Sequence, residues 1–217
     1  MPRVLTAADI ADFRGRLCDV AAALFVEVGE NGFNMRELAR RLGVSAMTPY
    51  RYFRDKESIL VEVRVRAFAQ FTAWLEASQA QGADPDRLTK AYLEFATQER
   101  TQYCLMFDFG QKSCDALAAA QGRLSAVFTD LAAALERQGR IGGDPHAVGV
   151  GYWALLHGTA SLHFVGAVSG DALHPLVKVS LPEILSGLDG DGTPEKPGLL
   201  AFAPAMMDPI SFQPAAE

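Results

Sequence analysis

The sequence predicts an all-α protein: an N-terminal unit of three helices followed by a larger C-terminal helical bundle. Three observations predict it. Apolar residues recur at i, i+3 and i+4 almost throughout the chain. The periodic segments are punctuated by helix starts and stops, with Asp-Pro pairs and polar caps before them and glycines after. No segment shows the apolar–polar alternation of a half-buried strand flanked by hairpin turns. With 217 residues, 49% of them hydrophobic and 21% charged, the chain has enough apolar mass for a sizeable core.

The first helix is expected over 7–29. Leu17, Val20, Ala21, Leu24, Phe25 and Val28 form its stripe, Thr6 can cap its start, and Gly29 and Gly32 break it. Asn34-x-x-Glu37 is a capping-box-like opening for a helix over 35–42. Gly43 can end it in the left-handed conformation, and Ser45 can cap a further helix over 46–52 through the backbone N–H of Met47 or Thr48. A long helix over 56–80 follows. Asp84-Pro85 and Asp144-Pro145 read as an N-cap with proline at the first helical position. They open helices over 86–101 and 145–168. Between them lie helices over 103–109 and 113–138, and one over 175–187 follows. From Asp189 the chain becomes Gly- and Pro-rich and reads as a tail without regular structure. The expected division is therefore 1–55, 56–188 and 189–217.

Charge is distributed unevenly. The net charge is −6, yet residues 36–56 hold six basic side chains against two acidic ones. A basic patch on an acidic molecule suits local contact with phosphate rather than coating by polyanion. That patch coincides with two short helices joined by three residues. Leu38 and Leu42 form an inner face, Ala39 allows a close crossing, and Val44 plugs the corner. This spacing is that of a helix-turn-helix. Its second helix presents side chains to the major groove of double-stranded DNA. Ala46 and Met47 can touch a thymine methyl, and Thr48 and Arg51 can reach base edges or phosphate. Tyr50, Tyr52, Lys56 and Arg36 suit the phosphate backbone. Lys56 also lies beside a helix N-terminus whose amides favour an anion. Pro49, at the fourth position of the second helix, removes an early hydrogen bond and predicts a tight first turn.

Residues 10–60 resemble the N-terminal domain of the TetR family of regulators. The likeness rests on Ala23-x-Phe25, Gly32-Phe33, Arg36-x-x-Ala39, Gly43-Val44-Ser45, Thr48-x-Tyr50-x-Tyr52-Phe53 and Lys56-Glu57. Pro49 stands where leucine is commoner in that family. The C-terminal half resembles a subtype of TetR regulatory domain named for a Trp-His-Gly signature. The matching residues are Trp153-Ala154-Leu155-Leu156-His157-Gly158 and the run Tyr103-Cys104-Leu105-Met106-Phe107. The resemblance implies a homodimer on a palindromic operator that responds to a small apolar effector bound among the C-terminal helices, with repression the common outcome. Candidate lining residues are Tyr92, Phe95, Cys104, Phe107, Phe128, Trp153 and His157.

Residues 145–170 contain no Asp, Glu, Lys or Arg. Five glycines, three histidines and the lack of flanking Lys/Arg anchors favour a buried helix over a membrane span. Ala147, Gly151, Ala154, Gly158 and Ser161 form a seam of small residues on one face. The seam suits either a two-fold contact between copies or a crossing within one chain. Three widely spaced cysteines and the lack of an N-terminal signal pattern point to a reduced, cytoplasmic setting. No P-loop, GxSxG, dinucleotide fingerprint or metal-ligand cluster occurs, so neither catalysis nor a cofactor is expected. An architectural DNA-binding protein without an effector is the alternative, but the acidic C-terminal half disfavours broad DNA coating.

Overall fold

The computed structural model describes residues 6–107 and 114–186. The tail expected from Asp189 lies outside the described residues. Eight α-helices occur among them: α1 (Ala7–Gly32), α2 (Met35–Arg41), α3 (Lys56–Ser78), α4 (Pro85–Gln98), α5 (Arg100–Met106), α6 (Asp115–Arg137), α7 (Pro145–Phe164) and α8 (Leu173–Ser186). The described residues contain no strand. None of their helices is long and apolar enough to cross a membrane.

The caps explain where the helices begin. Thr6 closes a capping box on α1, accepting from the Asp9 amide at 3.1 Å while its own amide donates to the Asp9 carboxylate at 2.9 Å. Asn34 caps α2 through the Glu37 amide at 2.9 Å. Glu37 does not complete the box, because its carboxylate is turned to Arg40 and Arg41. Asp84 and Asp144 cap α4 and α7, each followed by proline at the first helical position.

Several boundaries differ from the sequence expectation by a few residues: α1 continues past a kink at Gly29 to Gly32, and α7 ends at Phe164 rather than 168. Two further differences are larger in consequence. The break between α4 and α5 falls at Glu99, whose amide donates to Phe95 at 2.8 Å and whose carbonyl accepts from Tyr103 at 2.9 Å. The expected break lay after 101. The second helix of the helix-turn-helix is not an α-helix over 46–52. It is a turn followed by a 3-10 helix at Pro49–Arg51. Proline supplies no N–H, so the chain tightens into i+3 bonds, with the Thr48, Arg51 and Tyr52 amides donating to Ser45, Thr48 and Pro49.

The chain divides into two compact units. The first contains α1–α5 and α6 as far as Val127. One core joins Leu17, Ala21, Leu24 and Phe25 of α1 to Phe33, Met35, Leu38 and Phe53, with Ile59, Leu60 and Val63 of α3 and Leu105 of α5. A second group is aromatic: Phe71 meets Phe95 at 4.5 Å, Tyr92 at 5.0 Å and Tyr103 at 6.0 Å between ring centroids. The second unit contains the rest of α6 with α7 and α8. Gly149 sets the crossing of α6 and α7: a Cβ there would lie 2.9 Å from the Phe128 carbonyl carbon and the Thr129 nitrogen.

Candidate nucleic-acid interface

The turn between α2 and the 3-10 helix is fixed by backbone geometry. Gly43 has φ +67°, and its amide donates to Arg40 while the Val44 amide donates to Ala39 at 3.0 Å. This is a Schellman closure, which reverses the chain directly after α2. Ser45 does not cap through an amide as expected. Its hydroxyl meets the Thr48 hydroxyl at 2.9 Å, and the Thr48 amide donates to the Ser45 carbonyl.

The segment then separates its side chains. Pro49 and Phe53 are buried against the helices behind. Ser45, Ala46, Met47, Tyr50 and Arg51 are exposed, and Thr48 is half-buried. Met47 is 68% exposed, more than any other large apolar side chain described in this unit, and Tyr50 is 46% exposed. Tyr52 is half-buried, its ring 4.8 Å from that of Phe13, so it spends most of its surface on packing. Arg36 is exposed near the start of α2. Lys56 is half-buried at the first residue of α3. The start of α3 is already served by an anion of its own. The Asp55 carboxylate accepts from the Ser58 amide at 2.8 Å and from Arg54 Nε at 2.9 Å, which holds its pKa low.

The basic patch is partly neutralised from within. Arg40 grips the Glu37 carboxylate with two hydrogen bonds of 2.7 Å, and Arg41 reaches both Glu37 at 3.0 Å and Glu27 at 2.6 Å. These two guanidinium groups pull Glu37 down to about 2. Arg14 was not singled out from the sequence. Its Nη1 donates to the Tyr52 carbonyl at 2.9 Å, its Nη2 lies 3.4 Å from Glu62 of α3, and its guanidinium sits 4.4 Å from the Phe53 ring centroid. The available signal was an arginine on the apolar stripe of α1, one turn before Leu17.

The candidate effector-lining residues fall in both compact units. In the first, Tyr92 and Phe95 are fully buried, and the Tyr92 and Tyr103 hydroxyls meet at 2.7 Å. Phe107 packs its ring on Tyr103 and Phe68. Cys104 is exposed, unlike its buried neighbours Tyr103 and Leu105. In the second, Phe128 stacks on Trp153 with rings 10° apart and a centroid distance of 5.8 Å. His157, one turn further along α7, is pushed down to about 4 by burial. Among the described residues no His, Cys, Asp and Glu side chains gather into a metal-holding group.

Residues 17–63 match the family described as bacterial regulatory proteins, tetR family. Residues 86–177 match the tetracyclin repressor-like C-terminal domain family. An uncharacterised HTH-type transcriptional regulator of Mycobacterium bovis is 33% identical over 98 residues, covering 45% of this chain. The chain spans about half the length of that curated relative, 50% of which is covered. A protein of unknown function from Rhodococcus sp. RHA1 shares the fold with a TM-score of 0.72 at 24% identity, covering 88% of this chain and 100% of that one. The transcriptional regulator FadR of Bacillus subtilis, in complex with stearoyl-CoA, gives a TM-score of 0.67 at 16% identity over 80% of this chain and 98% of its own. These structural likenesses concern the fold alone.

Proposed function

The chain belongs to the TetR family of helix-turn-helix transcriptional regulators, a DNA-binding and non-enzymatic family, and we propose that it is a homodimeric repressor released from a palindromic operator by a small apolar effector. The observation that carries this reading is the exposed turn itself. Ala46, Met47, Thr48, Tyr50 and Arg51 crown a segment whose other face, Pro49 and Phe53, is buried. Met47 and Ala46 offer apolar surface to a thymine methyl, and Thr48 and Arg51 offer donors to base edges. Tyr50, Arg36 and Lys56 hold phosphate, with Tyr52 reduced to a supporting contact.

Dimerisation is supported by the second unit. The crossing of α6 and α7 uses Gly149, which is not part of the small-residue seam. Ala154 and Gly158 are exposed, and a Cβ at Gly158 would meet nothing within 4 Å. Leu162 and Val165 on and after α7, with Leu176 and Val179 on α8, are also exposed apolar side chains of this unit. A second copy covering these surfaces gives a two-fold pair, whose symmetry calls for a palindromic site.

The effector reading draws on the Trp-His-Gly signature at 153–158, on the aromatic lining candidates and on stearoyl-CoA in the FadR complex. Two reading turns must sit roughly 34–36 Å apart to meet successive major grooves. An effector that prefers another arrangement of the dimer lowers operator affinity by its differential affinity for the two states. The test begins with selection of an operator from a random duplex pool, followed by titration with long-chain acyl-CoA and free fatty acids. Release of the selected operator by one of these supports the proposal. Unaltered operator binding throughout an apolar small-molecule library contradicts the effector part, and no enrichment of any duplex contradicts the whole.

A further inference from the structure

A 3-10 turn of three residues with a proline at its start has few hydrogen bonds of its own to hold Tyr50 and Arg51 in one orientation. Its rigidity has to come from outside. The downstream end is where the external ties converge. Phe53 is buried, Tyr52 lies on Phe13, and the Tyr52 carbonyl accepts from Arg14 Nη1. The same guanidinium lies over the Phe53 ring and meets Glu62, two turns into α3. One planar group thus touches three elements: α1, which carries it, the reading turn, and α3. The fork geometry is particular to arginine. An ammonium offers a point charge without the second donor direction or the flat face that lies over the ring.

We infer that Arg14 is a positioning residue for DNA recognition: it clamps the Tyr52 carbonyl and the Phe53 ring to α1 and α3, so that Met47, Thr48, Tyr50 and Arg51 are presented in a fixed register. It acts through the turn and touches no base or phosphate. This inference rests on the operator-binding reading above, but one of its readouts needs no DNA.

The full-length protein and its Arg14→Lys, Arg14→Gln and Glu62→Gln variants are compared in three measurements. The first is amide hydrogen exchange at Arg51–Phe53, with the α2 amides as internal reference. The second is affinity for the selected operator and for a scrambled duplex of equal length. The third is the salt dependence of both. Exchange at Arg51–Phe53 is expected to rise at least tenfold in both Arg14 variants, with α2 unchanged. Operator affinity falls about tenfold or more in both, while scrambled-duplex affinity and the salt slope keep their wild-type values. Glu62→Gln, which leaves the bond to Tyr52 in place, gives a smaller change of the same sign. Wild-type behaviour of Arg14→Lys overturns the inference, because charge alone then suffices. So does a salt slope reduced by about one in Arg14→Gln, the mark of a phosphate contact. Unchanged exchange overturns it without reference to DNA. If Arg14→Gln fails to fold, Glu62→Gln and Arg14→Lys decide on the same criteria.

Discussion

Thr48 and Arg51 sit at the two ends of the reading turn, and their exposure differs. Thr48 is half-buried, with its hydroxyl meeting that of Ser45, whereas Arg51 is exposed and Phe53 two residues on is buried. In the proposed function each addresses a base edge, so Thr48→Ala and Arg51→Ala should each weaken operator binding by about 1–3 kcal/mol and relax sequence preference. Anisotropy titrations on the selected operator and on single-base variants measure this; unchanged preference in both removes the assignment. His157 makes a separate prediction. Burial lowers its folded pKa to about 4, below the unfolded value near 6.5. The unfolded chain then binds the proton more readily, so stability falls as pH drops from about 6.5 towards 4, by on the order of 3 kcal/mol at most. Denaturant unfolding across this range should show that slope, and His157→Gln should reduce it by up to one proton. At this scale the sequence was informative about identity and poor on pairing. The six basic residues of 36–56 were visible, but the engagement of Arg40 and Arg41 by Glu37 and Glu27 was not. Glu27 lies on α1, and only the folded crossing of α1 and α2 brings it within 2.6 Å of Arg41. Arg14 was overlooked for the same reason, its partners being 38 and 48 residues away.

Among the elements, local chemistry was legible wherever it is written within four residues. Thr6, Asn34, Asp84 and Asp144 all serve as N-caps. Gly43 takes the left-handed turn because the closure after α2 requires positive φ. The reading helix was drawn too regular. Pro49 had announced a tight first turn, and in the structure that tightening extends through the whole segment to Arg51. The break at Glu99 was misplaced because Arg100 and Thr101 continue a helical pattern, while the tertiary position of Tyr103 against Tyr92 and Phe71 decides where the chain bends. Two glycines separate backbone strain from close packing. Gly43→Ala meets nothing within 4 Å but forces φ +67° on an alanine, a cost of about 1–2 kcal/mol. Gly149→Ala keeps helical angles but drives a methyl into the α6 backbone, a cost of about 1–3 kcal/mol. Urea unfolding of both variants checks this pair. Because alanine is itself favoured over a mid-helix glycine by about 1 kcal/mol, a neutral Gly149→Ala would mean that parting the two helices costs no more than that gain.

On the scale of the whole molecule, an acidic protein with a small basic turn has little electrostatic affinity to spend on DNA at large. In the proposed homodimer, two copies of the turn on one duplex supply what one cannot, through the effective concentration of the second site. That places the burden on the exposed apolar surface of α7 and α8. Leu162→Glu combined with Val179→Glu should yield monomers that stay folded, since both side chains are exposed, and should weaken operator binding at least a hundredfold. Sedimentation velocity with parallel binding titrations measures both effects; a variant that remains dimeric moves the interface elsewhere. The proposed self-association could be read in the sequence only from the family resemblance and from a seam of small residues, which also suits a crossing within the chain.

Hydroxyl-radical footprinting of the selected operator tests the paired-turn account most directly. It predicts two protected patches related by a two-fold axis, centred about one helical turn apart on the same face of the duplex, both lost together in Arg51→Ala. A single patch, or continuous protection without symmetry, would contradict it.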